Sequence, residues 1–372
     1  MLNYEFPPIG GGGGAVTRDL GGRLVDMGHR VDVVTMSYRG LPREETVGGV
    51  RVFRVPSLRR RKSSCSIPEM LSYLAGARIF LRRHIPSTDY DIVHCHFAVP
   101  TGPLALFLRR RYGLPYVLTC HGSDIPGHNP DKFTLAHRFT RPLLRRIMGS
   151  AAAVTAPSAF LGHAIECHLG DYNVTVVPNG IDTALWRPGE KSNIILMAGR
   201  LLRFKGFHCV LEALKDVRAD FEVHVAGDGV MRDELARRAK AVPMPVHFHG
   251  WLDGDGDAFR DLFRRAAIFC MPSESESFGV VFVQAMCAGC AVLGSTAAAI
   301  PEVVEDGVTG LLVPPGDVAA TRDALARLVR DAGFRADLAE AGRRRALESY
   351  AWPEIAAQYA ALYADAAQSA RN

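Results

Sequence analysis

Met271-Pro-Ser-Glu-Ser-Glu-Ser-Phe-Gly-Val-Val-Phe-Val-Gln-Ala-Met286 sets a carboxylate, Glu276, in a turn rich in Ser and Gly, and an amide, Gln284, eight residues later on an apolar helix. The turn follows Ala267-Ile-Phe-Cys-Met271, which reads as a strand. It therefore stands at a strand's carboxyl end, where α/β sheets bind ligands. A helix beginning near Phe278 aims its backbone N–H groups and positive dipole end at whatever fills the crevice. An anionic or polyhydroxylated guest suits that geometry. The plain alternative is that Glu276 only caps the helix.

The segment resembles the E-x7-E signature of the retaining, family-four glycosyltransferases with the GT-B fold. Glu276 matches the first acidic position, and Gln284 stands where the family usually carries a second Glu. The resemblance implies that Glu276 lies beside the donor sugar, that position 284 meets the nucleotide ribose, and that Ser277, Phe278 and Gly279 between them line the donor site. Gln still donates and accepts hydrogen bonds to a ribose diol, but the charge-assisted strength of a carboxylate is lost.

Composition sets the wider bounds. A chain of 372 residues, 48% hydrophobic and 22% charged, is long enough for two domains and ordinary for a globular protein. No apolar run reaches the roughly 18 residues of a spanning helix, and the N-terminus lacks the basic and apolar regions of a signal peptide. The expected location is cytoplasmic. Eight scattered cysteines suit reduced, buried thiols. Cys287-Ala-Gly-Cys290 lacks the second CxxC that a metal site would need.

Charge is uneven along the chain. Residues 1–185 hold 22 Lys and Arg against 14 Asp and Glu, a balance of +8, which leaves 22 against 25, or −3, for the remainder. Leu58-Arg-Arg-Arg-Lys62, Arg82-Arg83 and Arg109-Arg-Arg111 supply the excess. The first cluster adjoins the partly apolar segment Ile67–Phe80, a combination that suits contact with an anionic membrane surface. A solvated surface is the alternative, and the preferred one for 109–111, which ends a helix. Nothing resembles a nucleic-acid-binding motif.

Strands alternate with helices through both halves, the pattern of parallel α/β sheets. The first half runs from a short strand at Met1-Leu-Asn through Arg30–Met36, Val50–Val55, Asp91–His96, Tyr116–Cys120, Ala152–Pro157 and Val174–Gly180. The opening strand is shorter than such a sheet normally carries. Either the start is placed late or a central strand is unusually short. Val177–Glu190, with its Pro and Gly, is the expected hinge. The second half restarts at Ile194–Arg200 and continues through Phe221–Gly229, His247–Trp251 and Ala291–Gly294. The expected architecture is α/β of the GT-B type, two Rossmann-like, doubly wound domains facing a central cleft. Expected bounds are 1–185 for the acceptor-side domain, 186–350 for the donor domain, and 351–372 for a C-terminal helix packing toward the first.

The remaining site residues follow from the same resemblance. Gly10–Gly14, including Gly12 and Gly13, ends a strand and opens a helix, so bare backbone N–H groups approach a diphosphate; a flexible loop is the default for a glycine run alone. Arg200 and Lys205 in Gly199-Arg-Leu-Leu-Arg-Phe-Lys-Gly206 resemble the family's diphosphate clamp, where fixed cations stabilise the departing nucleoside diphosphate. His121-Gly-Ser-Asp124 resembles the sugar-pocket segment, with His121 beside the donor sugar and Asp124 orienting the acceptor or His121. His249-Gly-Trp251 resembles the nucleobase loop, with Trp251 packing on the base and Ala226–Gly229 beneath. His94 and His96 share a strand face, but no third ligand at suitable spacing follows, so they read as core or acceptor-side residues.

What the resemblance implies chemically is transfer of a sugar from a nucleoside-diphosphate donor to an acceptor hydroxyl, with retention and without a metal. The leaving phosphate helps deprotonate the acceptor, and Glu276, His121, Arg200 and Lys205 form the catalytic set. No cofactor is expected. No DxD-like motif is placed for a metal–diphosphate complex, and no hydrolase-like carboxylate pair is evident. The acceptor stays open among glycans, lipid-linked saccharides and small molecules. Competing readings are a nucleotide-sugar epimerase and a non-catalytic sugar- or membrane-binding module of the same fold.

Overall fold

Leu2 is the keystone of the first sheet. The computed structural model describes residues 1–62, 64–126, 134–254 and 256–371. Its contacts divide into two compact units, Met1–Gly180 with Trp352–Asn372, and Ile181–Ala351. The first break therefore falls at 180/181 instead of 185/186. The reason is that Ile181 N–H donates to Tyr350 O (2.7 Å) and Trp186 packs edge-on against Phe259 and Phe263, which holds 181–186 to the second unit.

In the first unit α1 (Gly12–Asp26) precedes β1 (Asp32–Met36), β2 (Glu44–Val47), β3 (Val50–Val55) and α2 (Ile67–His84). Then come β4 (Val93–His96), α3 (Gly102–Tyr112), β5 (Tyr116–Thr119), α4 (Thr134–Ser150), β6 (Ala153–Ala156), α5 (Ala159–Leu169) and β7 (Thr175–Val176). The strands order as β2-β3-β1 and β4-β5-β6-β7. Leu2 joins the two sets by parallel bridges to Val34 and Cys95. Its N–H donates to His94 O (2.8 Å) and its carbonyl accepts from His96 N–H (2.9 Å). The expected strand at 1–3 thus shrinks to one bridging residue at the centre. β2 is antiparallel to β3, a hairpin edge on an otherwise parallel sheet that the alternation of strands and helices did not announce.

The second unit carries β8 (Ser192–Ala198), α6 (Phe207–Leu214), β9 (Glu222–Ala226), α7 (Arg232–Ala239), β10 (Val246–Gly250), α8 (Asp257–Arg265) and β11 (Ala266–Cys270). α9 (Val280–Cys287), β12 (Ala291–Ser295), α10 (Ile300–Val303), β13 (Leu311–Val313), α11 (Val318–Arg330) and α12 (Ala332–Ser349) complete it. Its six strands are parallel in the order β10-β9-β8-β11-β12-β13, a doubly wound sheet whose order reverses between β8 and β11. Every residue of β8 from Ile194, all of β11 and all of β12 are buried, as strands covered on both faces must be. Edge strand β10 instead alternates between exposed and half-buried residues.

The C-terminal helix α13 (Trp352–Arg371) returns the chain to the first unit. Its Trp352, Ile355, Ala356 and Tyr359 share a core with Phe6, Leu20 and Leu24. Trp352 is 1% exposed, the largest side chain in that core, and truncating such a residue costs about 3–5 kcal/mol. Among the described residues no helix is long and apolar enough to cross a membrane.

Candidate active site

The second unit's site is built at the carboxyl ends of β8 and β11, on either side of the point where strand order reverses. After β8 the chain passes Gly199 and Arg200 into a single 3-10 turn, Arg203–Lys205. After β11 it enters the turn 271–279 and then α9, whose N-cap is Gly279 at φ +90°, so the helix begins at Val280, two residues later than expected. The two loops are stitched together. Glu274 N–H donates to Phe204 O (2.7 Å), and the buried Ser273 hydroxyl donates to the same carbonyl (3.0 Å). A Cβ on Gly206 would stand 2.3 Å from Pro272 O, so only glycine lets the loops approach this closely.

That stitching delivers Lys205 to Glu276. The ammonium donates to the carboxylate Oε1, and both side chains are only 13% exposed. Glu276 is further fixed through its backbone, whose carbonyl accepts from Ala299 N–H (3.3 Å). Arg200 differs. It is exposed, and among the described residues its guanidinium has no hydrogen-bond or ion-pair partner. One cation is thus spent on Glu276 and a second stands uncommitted beside it in sequence. Ser277, Val280, Val281 and Gln284 form a half-buried stripe at helical spacing, and the Gln284 amide has no protein partner among the described residues. Trp251 is 58% exposed just beyond β10. Phe278 turns inward, 4% exposed, with its ring edge-on to Tyr350 at 5.5 Å between centroids.

In the first unit, the glycine loop and the His121 loop meet. A Cβ on Gly13 would lie 2.5 Å from Phe97 Cζ and 3.6 Å from His121 Cγ, so the first turn of α1 packs directly on those rings. Gly12, one residue earlier, faces open space. Asn3 ties the turn down, its amide donating to Gly13 O (3.1 Å) and Thr17 Oγ1 (2.6 Å). His121 pairs with His96, Nε2 to Nδ1 at 3.1 Å. Burial lowers the His121 pKa to about 4, so the imidazole is neutral at physiological pH.

Asp124 is 3% exposed, and both its oxygens are engaged by backbone. Oδ1 accepts from His121 N–H (3.1 Å) and Gly122 N–H (3.0 Å), and Oδ2 accepts from Ala98 N–H (2.7 Å). Asp124 thus ties the His121 loop to Ala98 through backbone N–H groups. His94 is occupied at both ring nitrogens, by Thr119 Oγ1 (2.7 Å) and Tyr363 OH (2.6 Å), and so is a core residue.

Two family models tile the chain: Glycosyltransferase Family 4 over residues 10–185, and Glycosyl transferases group 1 over residues 184–345. The MMP alpha-(1->4)-mannosyltransferase of Mycolicibacterium hassiacum is 29% identical over 98% of this chain and 97% of its own. Sucrose-phosphate synthase from Thermosynechococcus elongatus superposes with a TM-score of 0.83 at 21% identity, over 95% and 93% of the two chains. Anabaena HepE in complex with UDP-glucose gives 0.77 at 19% identity, over 98% of each. The chain belongs to the group 1 glycosyltransferases of the family-four type.

Within this glycosyltransferase, a GT-B enzyme of the EC 2.4 class, the residues sort by what they touch. Glu276 and Lys205 are brought together, as are Gly13 and His121. Phe278 and Asp124 support the loops from within. Reading the sequence missed Ser273 and Phe97, which position Glu276 and Gly13, and gave His96 as a core or acceptor-side residue without its pairing to His121. Only Ser273 left a local sign, as a small polar residue inside the quoted turn.

The glycosyltransferase's basic segment also needs correction. Arg59 is 6% exposed, its guanidinium donating to Arg61 O (3.1 Å) and Lys62 O (2.9 Å) with Glu5 Oε1 at 3.5 Å. It is an internal clamp, because a buried guanidinium is tolerated only when paired and hydrogen-bonded. Arg60, Arg61 and Lys62 stay exposed, as do Ile67, Leu71 and Ile79 on α2. All eight cysteines are free, and Cys287 and Cys290 are fully buried thiols.

Proposed function

We propose that this enzyme transfers a sugar from a nucleoside-diphosphate donor to an acceptor hydroxyl with retention of configuration and without a metal. The observation that carries the reading is the Lys205–Glu276 pair at the reversal point of the second sheet, with Arg200 uncommitted in the same loop. A diphosphate placed there meets a fixed cation whose position is held by a carboxylate, and a second that needs a partner. Negative charge developing on the leaving group is then stabilised without reorganisation. Gln284, whose amide has no protein partner among the described residues on the half-buried stripe of α9, is the group we assign to a ribose diol. Neutral His121 supplies a hydrogen bond to a sugar hydroxyl without a charge. HepE, which shares the fold, has been solved with UDP-glucose, and this supports a nucleotide-sugar donor here.

The acceptor belongs to the first unit in this proposal. Its exposed cations at Arg60, Arg61 and Lys62, beside the apolar Ile67, Leu71 and Ile79, favour a membrane-proximal or lipid-linked acceptor on the cytoplasmic face.

A thermal-shift screen against UDP, GDP, ADP and their sugar conjugates, run in EDTA, tests the donor assignment. One base is expected to raise the melting temperature selectively. Proton NMR of the product's anomeric signal then tests retention. No shift with any nucleotide removes the donor assignment. Conversion of the sugar nucleotide without an acceptor returns the epimerase.

A further inference from the structure

The edge of the second sheet, away from the loops after β8 and β11, carries a cluster that glycosyl transfer does not use. Glu222 and His224 alternate on β9, so they point to one face, and His247 and His249 do the same on β10. The parallel register sets His247 beside His224. Glu222 Oε2 lies 3.2 Å from His224 Nε2 and 3.6 Å from His247 Nε2. One ligand atom from each of the three residues falls within 4.8 Å of the others.

We infer that Glu222, His224 and His247 form a binding site for a zinc-type divalent transition metal. Metal–ligand bonds of about 2.0–2.1 Å at a tetrahedral angle hold neighbouring ligand atoms about 3.3–3.4 Å apart, and the two measured separations bracket that span. Two imidazoles and a carboxylate are the donor set of zinc and its first-row neighbours, not of magnesium. A fourth position is left to solvent, because Glu222 and His247 are about half exposed.

The arrangement beyond the ligands fits the same chemistry. His224 is 8% exposed, and its second nitrogen, Nδ1, lies 3.1 Å from His249 Nε2. When Nε2 of His224 ligates, its Nδ1–H donates to His249, which fixes tautomer and ring orientation as outer partners of metal-bound histidines do. Arg265 is the cationic neighbour acting on Glu222 and His224, and it pairs with Asp261 at 3.7 Å. Edge strands commonly carry Lys to discourage further pairing; here the imidazoles of His247 and His249 occupy that place. A metal spanning β9 and β10 would clip the edge strand that leads into the Trp251 loop.

The test is a zinc titration of tag-free, EDTA-stripped protein by calorimetry, with cobalt as the spectroscopic probe. One equivalent of zinc per chain is expected, together with a cobalt d–d band and a higher melting temperature. His247→Gln and Glu222→Gln change half-exposed side chains and should fold normally by circular dichroism. Each should weaken zinc binding at least tenfold. His249→Gln, which removes no ligand, should weaken it roughly 10- to 100-fold. Zinc uptake unchanged in the Glu222→Gln/His247→Gln double variant, or no uptake by the parent protein, overturns the site. Sugar transfer in EDTA should be equal in parent and double variant, so failure here is separable from failure of the transfer assignment.

Discussion

Lys205 and Glu276 stand 71 positions apart in the chain, yet the Lys205 ammonium donates directly to the Glu276 carboxylate between two stitched loops. Each side chain is mostly withdrawn from water, so neither charge is comfortable without the other. Lys205→Ala strands the Glu276 carboxylate and, under the proposed function, removes one cation from the leaving group. We expect kcat/KM to fall about 10²–10³-fold. A double-mutant cycle with Glu276→Ala should return a coupling of about 0.5–3 kcal/mol in stability. Additive single effects in urea unfolding would mean that the pair does not act as a unit.

Gln284 offers the opposite kind of change. Its amide lacks a protein partner among the described residues, and under the proposed donor assignment replacing it by Glu would turn a neutral hydrogen bond to ribose into a charge-assisted one. Donor binding should tighten by up to about 1.5–3 kcal/mol, read by calorimetry with the nucleotide that the thermal screen selects. An unchanged dissociation constant would place the ribose elsewhere.

Acid should loosen the first unit. His121 has a folded pKa of about 4 against an ordinary 6.5, and burial holds His94 and His96 low as well. A depressed value means the unfolded chain binds the proton more readily. The stability linked to these rings is therefore present above pH 6.5 and lost as the pH falls toward 4. For His121 alone the loss between pH 7.5 and 5 is about 2 kcal/mol. Asp124, whose pKa burial raises, works in the opposite direction at the acid end. Urea midpoints of wild type and His121→Asn at both pH values check this, and identical pH dependence would clear the imidazole.

Adjacent glycines should behave differently. Gly13→Ala drives a Cβ into Phe97 and should cost about 1–3 kcal/mol. Gly12→Ala meets nothing and should leave stability equal or higher by about 0.4–1 kcal/mol. If the bare backbone at Gly12 cradles phosphate, ligand affinity falls while the fold is intact. Thermal melts with and without nucleotide separate the two effects.

Membrane contact is best tested without Arg59, whose burial would confuse the result. Arg60→Glu, Arg61→Glu and Lys62→Glu together should abolish sedimentation with anionic vesicles and leave the melting temperature unchanged. Each exposed cation near such a surface contributes about 1 kcal/mol. Equal vesicle binding by the triple variant would remove the membrane-proximal acceptor.

What could be read from the chain alone was whatever is local. The apolar run 267–271, the Ser-rich turn and the spacing from Glu276 to Gln284 lie within a few residues of one another, and strand and helix periodicity is a property of consecutive residues. That is why the parallel second sheet, the turn at its strand end and the C-terminal helix were legible. Strand order is not local. The approach of Lys205 to Glu276 depends on β8 lying next to β11, and nothing in either segment announces that neighbour. The same holds for the burial of Arg59, which read as surface charge, and of Asp124, which read as orienting the acceptor or His121, because the backbone partners of both are distant or set by the fold. It holds too for Phe278, drawn inward by Tyr350, and for Glu222 and His247, joined only by the register of two strands. Covalent geometry shaped the turns; packing and burial chose which charged groups stayed available for chemistry.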